Sequence, residues 1–107
     1  MLCKFAYTLS GPSSTELVVK KSKFISFSGP VHCNDDVIKF LEEYRHPKAT
    51  HNCFAYKIND CEKADDDNEV SGTAGLPILH AIKSSGFDHI IVLVVRYVIL
   101  IFSIKCI

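Results

Sequence analysis

The sequence has no C-x-x-C pair, no G-x-x-x-x-G-K-S/T loop, no excess of either charge, no internal repeat and no apolar run long enough to cross a bilayer. Each absence excludes something. Its five cysteines, at 3, 33, 53, 61 and 106, are odd in number and lack metal-ligand spacing, which argues against a disulfide framework or a zinc ribbon and for a reducing compartment. Twelve Lys+Arg balance twelve Asp+Glu, so no global field draws the chain toward nucleic acid or anionic lipid. The balance hides an asymmetry. Residues 1–57 carry eight basic and five acidic side chains, and residues 58–107 carry four basic and seven acidic.

Met1 to Ser10 lacks the continuous apolar core of a secretory signal, so a cytoplasmic location is expected. Ile90 to Ile104 is apolar except for Arg96, Tyr97 and Ser103, but its length falls short of the roughly 20 residues a span requires. A mid-membrane Arg would also cost about 2.5–3.5 kcal/mol. The chain's 107 residues, 48% of them hydrophobic, suffice for one compact domain and are too few for two.

What is present alternates in type. Thr15 to Phe27, rich in β-branched and aromatic residues, reads as one or two strands closed by Gly29-Pro30. Asn34-Asp35-Asp36 should cap a helix, with Val37, Ile38, Leu41 and Tyr44 as its buried stripe and Arg45-His46-Pro47 as its end. From Thr50 to Ile58 the period becomes two, placing Phe54, Tyr56 and Ile58 on one face. Asp60 to Glu69 has too much like charge to pack and reads as a solvated loop. A second helix follows, with Pro77 in its first turn, Ile78, Leu79 and Ile82 buried, and Gly86 past its end. His89 to Val95 is a strand buried on both faces. The expected fold is an α+β two-layer sandwich, a four-stranded sheet with two helices on one face.

The most informative motif is the acidic run followed by Ser71-Gly72-Thr73-Ala74-Gly75-Leu76-Pro77. Glycines and hydroxyls ahead of a helix supply free amides, a natural anion cradle, while the neighbouring carboxylates would repel a phosphate. The acids are expected to form a structural or partner-binding edge. A hard divalent ion is the alternative, although the spacing is not that of a calcium loop. His51 and Cys53 share a strand face, yet side chains two apart on a strand stand about 7 Å apart, so a nucleophilic pair is not expected. Lys20, Lys21 and Lys23, near Phe24 and Phe27, form either a solvated strand face or a contact for RNA phosphates. Arg96-Tyr97 brings a charge to the end of an apolar strand, where a partner is expected, with the acidic loop offering candidates.

Four motifs in order carry a resemblance: Lys20-Lys21-Ser22-Lys23-Phe24-Ile25, His46-Pro47-Lys48-Ala49-Thr50-His51-Asn52-Cys53-Phe54-Ala55-Tyr56, the acidic-SGTAG-Leu-Pro stretch and Val94-Val95-Arg96-Tyr97. Over residues 16–97 the chain resembles the IMPACT / YigZ family, in its Impact N-terminal domain. The family's loop reads D-D-G-E-P-S-G-T-A-G; here Asn68 stands for its glycine and Val70 for its proline. After Tyr97 the family continues with a glycine-rich segment and a further helix, whereas this chain runs Val98 to Ile107 in apolar residues. The expected division is therefore an N-terminal extension (1–14), a partial Impact domain (15–97) and a divergent tail (98–107), read as a truncated or mis-spliced gene product of poor solubility.

The resemblance implies a ribosomal-protein-like α+β fold and a non-enzymatic regulator of translation. Eukaryotic members restrain the initiation-factor-2 alpha kinase response to amino-acid starvation through a protein partner, although those members also carry an RWD domain. The partner surface so implied comprises His51, Asn52, Asp66, Asp67, Glu69, Ser71, Gly72, Thr73, Gly75, Arg96 and Tyr97. RNA or ribosome binding through Lys20, Lys21 and Lys23 is the alternative, and a hydrolase ranks third. No cofactor, metal, catalytic residue, membrane partner or small-molecule substrate is expected.

Overall fold

A computed structural model describes residues 9–67 and 71–98. The elements run β1 (Ser13–Val19), β2 (Ser22–Pro30), α1 (Asn34–Tyr44), β3 (His51–Ile58), β4 (Cys61–Asp65), α2 (Gly75–Ser85) and β5 (Ile90–Val98). The α+β class is as expected, but the sheet has five strands where four were expected, in the order β1-β2-β5-β3-β4 with every neighbouring pair antiparallel. The additional strand, β4, comes from the stretch read as a solvated loop. It is an edge strand whose first three residues, Cys61, Glu62 and Lys63, are exposed, so its charges stay in water while its backbone pairs with β3. A two-residue turn makes this possible. Asn59 takes φ 55, the left-handed conformation that asparagine tolerates best among non-glycine residues, and Asp88 accepts its N–H at 2.8 Å.

The helices also lie differently from the expectation, one on each face of the sheet. Along β5, Ile91, Leu93 and Val95 join a core with Val31, Val37 and Phe40 of the α1 side. The alternate residues Ile90 and Val92 pack with Leu79, Ile82 and Ile78 of α2 and with Ala55 of β3. Successive strand side chains point to opposite faces, so α1 and α2 cover opposite faces. This is why β5 is apolar on both faces from Ile90 to Val95. β3 is likewise buried on both sides, with Phe54 and Tyr56 toward α1 and Ala55 toward α2.

Within α1 the buried residues are Val37 and Phe40, flanked by Leu41 and Tyr44, an i, i+3, i+4, i+7 stripe. Ile38, expected inside, is 47% exposed because it sits one helical step off that stripe. The N-cap is Cys33 and not Asn34, and it makes no side-chain cap bond. The helix start is instead tied by Asp36, which accepts the His32 N–H at 2.9 Å. α2 meets most of the expectation: Leu79 and Ile82 are buried and Gly86 closes it at φ 82, whereas Ile78, also expected inside, is only partly buried, packing against the edge of that core. Among the described residues, no helix is long and apolar enough to cross a membrane.

Candidate functional site

The bend between β4 and α2 has the free amides that its glycines and hydroxyls imply, and the chain fills them itself. The Asp66 carboxylate accepts the N–H groups of Gly72 at 2.9 Å, Ala74 at 3.1 Å and Gly75 at 2.7 Å. Two features permit the wrap: Gly72 at φ 80, and the close approach of Gly75 to the Asp65 backbone. These amides, first those of Gly72 and Gly75, hold the Asp66 carboxyl below its ordinary value against the opposing effect of burial. The carboxylate is thus a structural acceptor at the helix entrance, the place where a free anion would otherwise sit.

Asp67 turns the bend back onto β3. Its N–H donates to Asp65 Oδ1 at 2.8 Å, and its own carboxylate accepts the Asn52 N–H at 2.6 Å. His51 Nδ1 donates to the Asp67 carbonyl at 2.9 Å, and the buried Cys53 thiol donates to the Asp66 carbonyl at 3.2 Å. Imidazole and thiol are therefore each engaged by a separate carbonyl and do not bond to each other in the described contacts. Ser71 and Thr73 are exposed, and Glu69 lies outside the described residues. Among the described residues no group of His, Cys, Asp and Glu could hold a metal ion.

The depressed Asp66 carboxyl has a defined pH consequence. Its contribution to stability is complete above the ordinary carboxylate value of 3.8 and is lost as pH falls through its lower folded-state value. Asp66→Asn should lower the urea midpoint at neutral pH and flatten the acid limb of midpoint against pH. An unchanged acid limb would show that Asp66 carries no such linkage.

Asn52 anchors a second corner on the α1 face. Only 7% exposed, it accepts the His46 N–H and donates to the His46 carbonyl, both at 2.9 Å. Tyr97 reaches the same residue, its hydroxyl 2.7 Å from His46 Nδ1. The His46-to-Tyr56 motif therefore has a structural role: it pins the α1–β3 connection to the end of β5.

Arg96 sits on the other face. It lies opposite His51 on β3 and Phe24 on β2, donates Nε to Ser22 Oγ at 3.3 Å, and holds its guanidinium 5.8 Å from the Phe24 ring centre. It lines a cleft of about 340 Å³ with Phe24, Cys53, Thr73, Ile78 and Val94. Ile78 and Val94 also line an apolar groove of about 530 Å³ that continues past Ile82 and Val92 beside α2. Cleft and groove together form one trough with a cation at one end.

The residues singled out from sequence thus gather at one end of the sheet but divide between its faces. Arg96 and Thr73 line the trough and His51 lies on the same face of the sheet, whereas Asn52 and Tyr97 face α1. Asp66, Asp67, Gly72 and Gly75 build the bend. Lys20 and Lys21 form the β1–β2 turn, Lys20 at φ 54, and Lys23 on β2 is ion-paired with Glu16 at 3.5 Å. Sequence reasoning assigned Ile78 to the helix core and Val94 to a motif, and missed that both line this trough and that Phe24 lies against Arg96. The alternation of β5 carried that signal, since Val92, Val94 and Arg96 share a face.

Comparison with known proteins matches residues 20–99 to the family described as the Impact N-terminal domain. A Thermus thermophilus protein described as an IMPACT family member in the pol 5' region is 40% identical over 80 residues, covering 75% of this chain and 44% of that relative. IMPACT family member YvyE of Bacillus subtilis is 35% identical over 96 residues, covering 85% of this chain and 44% of that relative. IMPACT family member YigZ of Escherichia coli is 35% identical over 86 residues, covering 74% and 42% respectively. A crystal structure of a protein described as hypothetical superposes with a TM-score of 0.78 at 33% identity, covering 82% of this chain and 46% of that one. The chain spans less than half the length of these relatives.

Proposed function

The chain belongs to the Impact N-terminal domain family, and from that premise we propose that it is a non-enzymatic, cytoplasmic module that regulates translation through a protein partner, restraining the initiation-factor-2 alpha kinase response to amino-acid starvation. One observation carries the non-enzymatic part of this reading. The groups that could do chemistry at the bend are engaged in holding it: Asp66 on three amides, the Cys53 thiol on a carbonyl, and His51 on another. Among the described residues, no nucleophile, base and oxyanion site converge there. The trough beside α2, apolar with Arg96 at one end, suits a segment of a partner protein better than a reacting small molecule.

The test is expression of the full chain in amino-acid-starved eukaryotic cells, with phosphorylated initiation factor 2 alpha as the readout. The chain should lower that signal several-fold, and Arg96→Gln, which removes the cation from the trough, should restore most of it. Equal phosphorylation with and without the chain would overturn the regulatory reading. Any substrate turnover abolished by replacing His51 or Cys53 would overturn the non-enzymatic one.

A further inference from the structure

The two edges of the sheet are guarded differently. β4 carries Glu62, Lys63 and Asp65 along only five residues and has α2 packed against it. Among the described residues β1 pairs with β2 alone, and all seven of its residues are exposed. Leu17 is 61% exposed, Val18 57% and Val19 45%, so both faces of the edge present apolar side chains. The usual protections are missing: β1 has no proline, its register with β2 is continuous from Ser13 to Val19, and Glu16 is its single charge. The alternate N–H and C=O groups along its outer side face away from β2, a template for another strand.

We propose that β1 pairs antiparallel with β1 of a second copy of this chain, about a twofold axis at Leu17, joining two five-stranded sheets into one. The register follows from side-chain compatibility. With the axis at Leu17, Leu17 meets its own counterpart, Thr15 meets Val19, and Glu16 meets Val18, so no like charges face each other. An axis at Glu16 would set two carboxylates directly opposite. An axis at Val18 would run the pairing into Lys20, whose φ of 54 ends the extended chain. The twofold preserves faces: Leu17 of each copy, already beside Phe24 on the Arg96 face, extends an apolar strip across the junction, and Val18 covers the stem of the partner's Glu16. Such an interface is isologous, as closed homodimers require. One strand from each copy falls below the roughly 1,200–2,000 Å² of a standard interface, so a dissociation constant in the micromolar range is expected.

The full chain should sediment as a monomer–dimer equilibrium, with Leu17→Lys raising the dissociation constant at least tenfold while leaving its cooperative unfolding intact. In a background where Cys3, Cys33, Cys61 and Cys106 are serine and only the buried Cys53 remains, Leu17→Cys should form a 17-to-17 disulfide under mild oxidation, mapped by mass spectrometry, and Glu16→Cys should not cross-link to itself. A chain that stays monomeric into the high-micromolar range overturns the proposal. So does a dimer indifferent to Leu17→Lys, or one that cross-links preferentially through position 16.

Discussion

Gly75→Ala should destabilise the protein by about 1–3 kcal/mol, the range for forcing an extra methyl into a packed site. Helix propensity alone predicts the opposite sign, since alanine is favoured over glycine within a helix by about 1 kcal/mol. Gly75 is the first residue of α2, and a Cβ there would lie 2.6 Å from Asp65 N and 3.0 Å from both its carbonyl carbon and oxygen. These are backbone atoms of β4 and cannot rotate away. To make room the start of α2 must lift, which lengthens the 2.7 Å bond from Gly75 N–H to Asp66. The effect should therefore overlap with that of Asp66→Asn, and urea denaturation of the two single variants and the double variant should reveal non-additivity. A Gly75→Ala protein as stable as the parent would mean that helix and strand do not approach as closely as described.

Leu93→Ala should cost about 2–5 kcal/mol, the range for truncating a fully enclosed leucine. Leu93 is 0% exposed, lies between Phe27 on β2 and Phe54 on β3, and belongs to the core formed with Val37 and Phe40 of α1. Because domains are held by only about 5–15 kcal/mol in total, a loss at the upper end would leave a substantial unfolded population. Leu17→Ala is the internal control. It removes the same atoms from a strand of the same sheet, but at a site 61% exposed, and should stay within about 0.5 kcal/mol of the parent under conditions where the chain is monomeric. Equal losses at the two positions would contradict the placement of the core.

Much of this arrangement is legible in the sequence, and the parts that are not share a cause. Pro77 and Gly86 marked the ends of α2, and an unbroken apolar run marked β5, because each reflects a local constraint of backbone or burial. β4 was hidden because Glu62, Lys63 and Asp65 look like loop residues. An edge strand needs backbone partners more than apolar side chains, and β3 supplied them. The expected stripe of α1 failed at Ile38 and omitted Phe40, a phase error that only the packing partner resolves. The side of the sheet each helix would cover was not encoded in helical period at all. It depends on how the connections cross the sheet, and β5, apolar on both faces, was the one hint that both would be covered. At the bend the amide cradle was foreseeable from its glycines and hydroxyls. Its occupant was not, because the like charges of Asp65, Asp66 and Asp67 suggested a shared outward role, whereas Asp66 turns inward onto the amides.

The sheet order also governs when this domain can fold during synthesis. β1 with β2, and β3 with β4, are hairpins closed by two-residue turns and can form as soon as each emerges. Neither can reach the other, because β5, translated after all four, is the strand between them. Until residues 90–98 leave the ribosomal tunnel, the nascent polypeptide is two unjoined ribbons with their inner edges bare, and assembly waits on a contact as distant as Ser22 with Val98. A ribosome stalled before that point would hold a chain rich in pairing edges and without a centre, the stage at which a chaperone has the most to shield.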